Sequence, residues 1–384
     1  MKRIGTFLVI ALVCGLCLKV CAARVESFSG AINVAGTGAP LLYDVPQEAE
    51  QAPQSVREQI KLLQSANPAE RAMAACELGE MGAQAKAAIP ALIQILGDDA
   101  PVDQVDCGRR GNFHRKNKWN GIDKTSPGEI AAVGLSAIGQ ASVEPLITAA
   151  RSDKAHARAN ALFALGLLKG ARTVEPLIAG LKDADKEVRA RAAWGLGLKQ
   201  DERVVLPLVE TLRDSEAKVR EQSAWALGLQ GDERSVEPLL NALRDAEASV
   251  REQAAWALGL KGDERSVEAL NAALTDQSSD VREQAAWALG LKGDERSVEP
   301  LIAALKDTDA DVRSQSAWAL GLRHDERAVD PLMAALQDTD RDVREQAKWA
   351  LGLLDMQRHP LVRPVIKFKY KGDKEKDKSD PERP

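Results

Sequence analysis

The chain has 384 residues, of which 45% are hydrophobic and 28% are charged, and its formal net charge is −5. These values are ordinary for a folded soluble protein. There is no excess of basic residues, which argues against nucleic-acid binding. Aromatic residues make up only 4% of the chain, so we do not expect a core built on aromatic side chains.

Residues 1–23 have the pattern of a signal peptide. Two basic residues precede the apolar run TFLVIALVCGLCL, and VCAA then offers cleavage after Ala22 or Ala23. We expect a periplasmic or secreted protein with no stable membrane insertion after cleavage; the alternative is an uncleaved N-terminal anchor. Cleavage would leave Cys76 and Cys107, which either form one disulfide or stay reduced.

The segment after the signal peptide, residues 24–52, is rich in Gly, Ala, Pro and Glu and predicts a flexible N-terminal segment. The next stretch, PQSVREQIKLLQS, is amphipathic. Val56, Ile60 and Leu63 fall on one helical face, so this stretch predicts a helix that caps the folded part of the chain at its N-terminal end.

A 31-residue repeat dominates the rest of the chain. A Val-Arg pair and a tryptophan recur at this spacing, and Phe163 and Cys76 occupy the tryptophan position in two earlier units. We count nine units, the last incomplete. The six tryptophans that follow the period are Trp194, Trp225, Trp256, Trp287, Trp318 and Trp349.

Each unit predicts two helices. The first runs from the Val-Arg pair to a glycine such as Gly231, and glycine commonly ends helices. The second contains VEPLLNALRD, with Pro238 near its start and Asp232 at a capping position before it. We therefore predict an all-α fold, a right-handed α-solenoid of stacked two-helix repeats that spans residues 53–354.

The repeat motif DxxVRxxAAxALGxxGDERxVxPLxxAL resembles the HEAT repeats of the phycobilin-lyase type over roughly residues 68–354. The resemblance implies that the first helices line a concave surface. It also places the columns of Glu221, Gln222, Trp225 and Leu229 at the positions that are varied in artificial scaffolds of similar type. One departure is a polar column where the family has apolar residues: Lys199, Gln230, Lys261, Lys292 and Arg323.

A helical wheel separates two faces of the first helix. With Val219 at 0° and about 100° per residue, the small and aliphatic residues Ser223, Leu227 and Ala224 fall together. Trp225 and Leu229 fall on the opposite side. We predict a partner-binding groove there, with inter-repeat packing of the tryptophans, or a mixture of both, as the alternatives. Its residues are Trp194, Trp225, Trp256, Trp287, Trp318, Trp349, Leu229, Leu260, Leu291, Gln222, Gln253 and Gln284.

Two further columns have a structural interpretation. The arginine column of Arg220 predicts a ladder of ion pairs with aspartates such as Asp232 of adjacent units. Lys348 replaces an alanine that would face the next repeat, which indicates a terminal unit.

The insertion 98–128 and residues 355–384 break the period. The insertion predicts a surface loop that a Cys76–Cys107 disulfide would tie down; a basic patch is the alternative, and Asp103, Cys107 and His114 match no strong metal-ligand spacing. Near the end, PVIKFKYKG alternates apolar and basic residues as a strand does, and a charged tail comes after it, so 355–384 predicts a cap strand and a disordered tail.

No catalytic, cofactor or metal motif occurs in the chain. None of the four histidines belongs to the His-Glu pairs of deoxyhypusine hydroxylase, which this repeat type also resembles. We predict an exported, monomeric, non-catalytic scaffold that binds a protein or peptide along the concave groove, and leave the question of enzymatic activity open. The alternatives are an accessory or lyase-like enzyme subunit of the phycobilin-lyase type, and a structural spacer in the cell envelope.

Overall fold

The computed structural model describes residues 52–103 and 125–358. A first helix, α1 (Gln54–Leu62), is followed by units that alternate a longer A helix with a shorter B helix. The A helices are α2 (Pro68–Met81), α4 (Pro127–Ile138), α6 (Ala155–Leu167), α8 (Lys186–Gly197), α10 (Ala217–Gln230), α12 (Ala248–Lys261), α14 (Ser279–Lys292), α16 (Ala310–Arg323) and α18 (Arg341–Arg358). The B helices are α3 (Ile89–Gln94), α5 (Val143–Ala149), α7 (Val174–Gly180), α9 (Val205–Thr211), α11 (Val236–Ala242), α13 (Glu264–Ala273), α15 (Val298–Ala304) and α17 (Val329–Ala335).

Several predictions from the sequence fall outside the described residues: the signal peptide, nearly all of the flexible N-terminal segment, the central part of the insertion and the chain after Arg358. The base of the insertion is described. The backbone of Val102 pairs with that of Thr125 through two hydrogen bonds of 2.9 and 3.2 Å, so the insertion leaves and re-enters the array at one point.

The ends of the helices follow from local side-chain chemistry. In α8, the Asp185 carboxylate accepts hydrogen bonds from the backbone N–H groups of Glu187 and Val188 and caps the helix. Helix α10 ends at Gly231, which adopts the left-handed conformation with φ 70°. The Asp232 carboxylate then accepts from the Arg234 N–H at 2.8 Å and starts the turn that leads into α11. The predicted capping role of Asp232 is confirmed.

One continuous core runs through the array. Val219, Ala224 and Leu227 of α10 and Leu239 of α11 are fully buried, and the corresponding residues of the other units join them. In α1, Val56 and Leu63 are buried and Ile60 is partly buried against the same core, as the amphipathic pattern predicts. The predicted all-α solenoid is confirmed. Within the described ranges, no helix is both long and apolar enough to cross a membrane.

The A helices form the inner layer of the solenoid. Neighbouring A helices pack directly on one another, and each B helix packs mainly on the A helix that follows it. The B helices touch each other far less. A layer that packs more closely than its partner layer curves toward the close side, so the A helices line the concave surface.

The arginine column pairs with a different aspartate from the predicted one. Arg220 Nε and Nη2 donate to the Asp245 carboxylate at 2.7 Å each, and Arg220 Nη1 donates to the Asp214 carbonyl at 2.9 Å. Arg220 thus joins the turn before its A helix to the turn after the next B helix, and the arginines from Arg158 to Arg313 in this column do the same. Asp232 pairs instead with Arg234, two residues away. A helical wheel describes one helix only, so it does not show which neighbouring turn a long arginine side chain contacts.

Candidate binding face of the A helices

Five columns of side chains share the concave side of the A helices. We call the surface they form the inner face; on α10 it consists of Lys218, Glu221, Gln222, Trp225 and Leu229. The other A helices present the residues at the same positions of their repeats. The residues of the predicted groove thus lie at equivalent positions on successive A helices, and their role in binding stays a prediction.

The groove residues differ in how much of each reaches solvent. Leu229 and Leu291 are 40% and 43% exposed, and Trp349 of the last A helix is 41% exposed. Leu260, the glutamines Gln222, Gln253 and Gln284, and the other five tryptophans are half-buried. The tryptophans thus combine packing with exposure, whereas two of the leucines are presented to solvent.

A glycine of the preceding repeat receives each tryptophan ring. A Cβ atom added to Gly228 would lie 2.9 Å from Cζ3 of Trp256, and one added to Gly259 would lie 2.7 Å from Cζ3 of Trp287. Both distances are shorter than the contacts that Cβ atoms make in protein structures, so a larger residue would force the ring or the helix to shift. The six glycine–tryptophan pairs are Gly166–Trp194, Gly197–Trp225, Gly228–Trp256, Gly259–Trp287, Gly290–Trp318 and Gly321–Trp349. The benzo edge of each ring and the residue that follows the tryptophan therefore both pack closely against a glycine of the adjacent A helix.

Aromatic rings stack along the N-terminal part of the inner face. The Phe163 and Trp194 rings have centroids 4.9 Å apart, and those of Trp194 and Trp225 are 6.4 Å apart with planes only 5° from parallel. The Arg191 guanidinium lies 4.9 Å from the Phe163 ring centroid, a cation–π contact. Stacking and glycine packing together hold these rings in place before anything binds.

Three residues of the polar column that departs from the resembled family, Lys199, Gln230 and Arg323, cap helices of the neighbouring repeat. The Lys199 ammonium donates to the carbonyls of Leu165 and Gly166 at 2.7 and 2.9 Å and also to that of Leu168, at the C-terminal end of α6. Burial lowers the pKa of Lys199 to about 8. Gln230 donates in the same way to two carbonyls of α8, and Arg323 to one of α14. Helix C-termini leave carbonyls without partners, so Lys199, Gln230 and Arg323 have a structural role.

Ion pairs neutralise the inner face in its N-terminal half. The Glu187 carboxylate contacts Lys218 Nζ at 2.8 Å and Arg191 Nε at 3.0 Å, and Arg191 also reaches Glu129. Burial alone would raise the pKa of Glu187, but hydrogen bonding to Lys218 and the charge of Arg191 hold it below its usual value. Lys218 therefore links the inner faces of α8 and α10.

Acidic residues dominate the inner face in its C-terminal half. From α12 to α18 the five columns contain six carboxylates and no basic residue: Glu252, Asp280, Glu283, Asp311, Asp342 and Glu345. Burial raises the pKa of Glu221, at the border between the two halves, although a hydrogen bond from Ser249 opposes it. The two halves of the face thus differ in charge.

Cys76 occupies the tryptophan position of the first unit and is disulfide-bonded. Its partner lies outside the described residues, so the pairing with Cys107 stays a prediction. In the part of the chain that the structure describes, no three His, Cys, Asp or Glu side chains form a group that could hold a metal ion.

The fold and the inner face define an α-solenoid scaffold. The family model for HEAT repeats matches residues 174–258, 236–315 and 298–365, and the model for the PBS lyase HEAT-like repeat matches residues 157–183. The chain belongs to the HEAT-repeat family. No curated protein was found to be similar to it.

Three solved structures are similar over much of the array. A crystal structure of importin beta is 16% identical with a TM-score of 0.57, covering 81% of this chain and 48% of its own. YibA of Escherichia coli is 19% identical with a TM-score of 0.49, covering 84% and 99%. The complex of CpcE and CpcF of phycocyanin lyase from Nostoc sp. PCC7120 is 22% identical with a TM-score of 0.39, covering 56% and 93%. The likeness to importin beta shows a shared fold.

Proposed function

We propose that the protein is an exported, non-catalytic scaffold that binds an extended segment of another protein along its inner face. Two solvent-exposed leucines beside the tryptophans carry this proposal. Leu229 and Leu291 are 40% and 43% exposed, whereas Val219 and Val281 of the same helices are fully buried. Exposed contiguous apolar surface marks interaction sites, and tryptophan is enriched among the residues that dominate binding energy.

The spacing of the Trp194 and Trp225 rings suits an extended chain. The Trp194 and Trp225 centroids are 6.4 Å apart. Alternate side chains of a strand project from the same side about 6.6–6.8 Å apart. A bound strand would therefore place two alternate side chains against these two rings. The glutamines between the rings offer an amide donor and an acceptor to its backbone.

Rigidity of the face also supports binding. Each ring is already held against a glycine of the neighbouring repeat, so it loses little conformational freedom when a partner arrives. The same packing makes tryptophan a poor position for a binding test, because its removal would loosen the array.

Export rests on the predicted signal peptide and on the disulfide at Cys76, since disulfides persist mainly in oxidising compartments. Cell fractionation and N-terminal sequencing of the isolated protein test it. We expect an envelope or secreted form that begins after Ala22 or Ala23. An intact N-terminus in the membrane fraction would contradict a cleaved signal and favour an anchor.

The leucines allow a test of binding with a matched control. We expect the parent protein to capture a partner from envelope extract, and Leu229→Ser with Leu291→Ser to lose it while folding normally. Leu206 and Met333 lie on the B helices and are 55% and 50% exposed, so serine there changes a similar apolar area on the opposite layer. If Leu206→Ser with Met333→Ser loses the partner to the same extent as Leu229→Ser with Leu291→Ser, the inner face is excluded as the binding surface.

A further inference from the structure

The acidic half of the inner face combines charge with exposed apolar surface. Asp280, Asp311 and Glu345 are exposed. Beside them, Leu291 and Trp349 are 43% and 41% exposed. A surface of this kind favours an occupant that alternates cationic and apolar side chains.

The chain itself contains such a segment, shortly after its last described helix. Residues 359–372 read HPLVRPVIKFKYKG, with one arginine, three lysines and no acidic residue. Ile366, Phe368 and Tyr370 alternate with Lys367, Lys369 and Lys371. In an extended chain the two sets project to opposite sides. The apolar side then suits the Trp-Leu row, and the long lysine side chains of the other side bend back over the edge of the strand to the flanking carboxylates.

The connection is long enough to reach this surface. Helix α18 ends at Arg358, and Lys369 follows 11 residues later, which allows a span of up to roughly 36 Å. Glu345 lies 13 residues back along the helix, about 20 Å away. Asp311 is on the neighbouring A helix, which adds about 8–10 Å. Because the tether is short, the effective concentration of the tethered segment at this surface is in the millimolar range.

From the complementary charge, the apolar side of the segment and the short tether, we propose that residues 361–371 dock on the inner face of α14, α16 and α18. This intramolecular occupant competes with an outside partner for the C-terminal half of the face. The proposal uses the same surface as the proposed function but does not require that an outside partner exists.

Amide hydrogen exchange of the full chain, read by mass spectrometry, tests the docking. We expect residues 361–371 to exchange on the order of tenfold more slowly than residues 373–382 at moderate ionic strength. The pair Asp311→Lys and Glu345→Lys should abolish this protection, and so should the pair Lys367→Glu and Lys369→Glu. Combining all four substitutions should restore it. Circular dichroism confirms that each variant is folded.

A matched control places the same charge reversal on the outer layer. Glu268 is exposed on the B helix α13, and Glu268→Lys should leave the protection unchanged. Equal exchange across 361–382 in the parent protein would overturn the proposal. So would protection that survives the inner-face reversals, or protection that grows with protein concentration and thus indicates a second copy. None of these results would affect the leucine test, so the two proposals fail separately.

Discussion

The substitution Gly290→Ala tests the close packing of a tryptophan ring against a glycine of the adjacent A helix. A Cβ atom at this position would overlap Cζ3 of Trp318 and lie 2.8 Å from its Cε3 atom. The backbone of Ala319 is 3.2 Å away, so the ring is the main obstacle. Gly352 is the equivalent glycine of the last A helix, and a Cβ there meets nothing within 4 Å in the described residues.

The two substitutions should change stability in opposite directions. Replacing glycine by alanine inside a helix stabilises it by about 0.8–1 kcal/mol. At Gly290 the overlap with Trp318 costs about 1–3 kcal/mol, which exceeds that gain. We expect Gly290→Ala to lower the free energy of unfolding by roughly 1–2 kcal/mol and Gly352→Ala to raise it by up to about 1 kcal/mol.

Urea unfolding followed by circular dichroism measures both effects. In the Trp318→Leu background, Gly290→Ala should cost less than it does alone, since contacting residues couple by about 0.5–3 kcal/mol. If Gly290→Ala and Gly352→Ala shift the unfolding midpoint in the same direction, or if Trp318→Leu leaves the cost unchanged, the ring does not occupy the glycine position and the packing argument is wrong.

Three further predictions concern other contacts and use the same unfolding assay. Lys199→Leu should lower stability by about 1–3 kcal/mol because it leaves buried helix-end carbonyls without a donor, whereas Lys199→Gln should be milder, as Gln230 occupies this position in the next repeat. His324 adopts φ 54° at the position where Gly231 has φ 70°, so His324→Gly should stabilise by about 1 kcal/mol; no gain would mean that the imidazole compensates for the strain. Hydrogen bonding to Arg251 lowers the pKa of Asp276, so this pair stabilises the fold above the ordinary aspartate pKa and loses that contribution as pH falls through the lower folded value. The difference in the free energy of unfolding between the parent and Asp276→Asn should therefore shrink as the pH falls from 5 to 2. A difference that stays constant over this range would contradict the linkage.

The repeat register and the helices could be predicted from the sequence because both depend on local periodicity. The spacing of Val-Arg pairs and tryptophans defines the units, and the wheel separates Val219 and Leu227, which are buried, from Leu229, which is exposed. These features depend on one helix and its caps. Nothing in them requires knowledge of how neighbouring helices meet.

The contacts between repeats could not be predicted by the same route. The wheel places the tryptophan on the face away from the core, yet its ring edge packs on a glycine that precedes it by 28 residues, such as Gly228 before Trp256. The glycine column itself was an available signal, because glycine inside a helix is destabilising unless a close approach requires it. The arginine partner and the role of Lys199 were missed for the same reason, since both side chains reach beyond their own helix.

The most direct test of the inner face is the affinity of a purified partner for matched variants, measured by isothermal titration calorimetry. The partner would be the protein that the parent captures. We expect Leu229→Ser with Leu291→Ser to weaken binding by at least about tenfold, or 1.4 kcal/mol, and Leu206→Ser with Met333→Ser to leave the dissociation constant unchanged. Unchanged affinity in the first pair, or an equal loss in both, would contradict binding on the inner face.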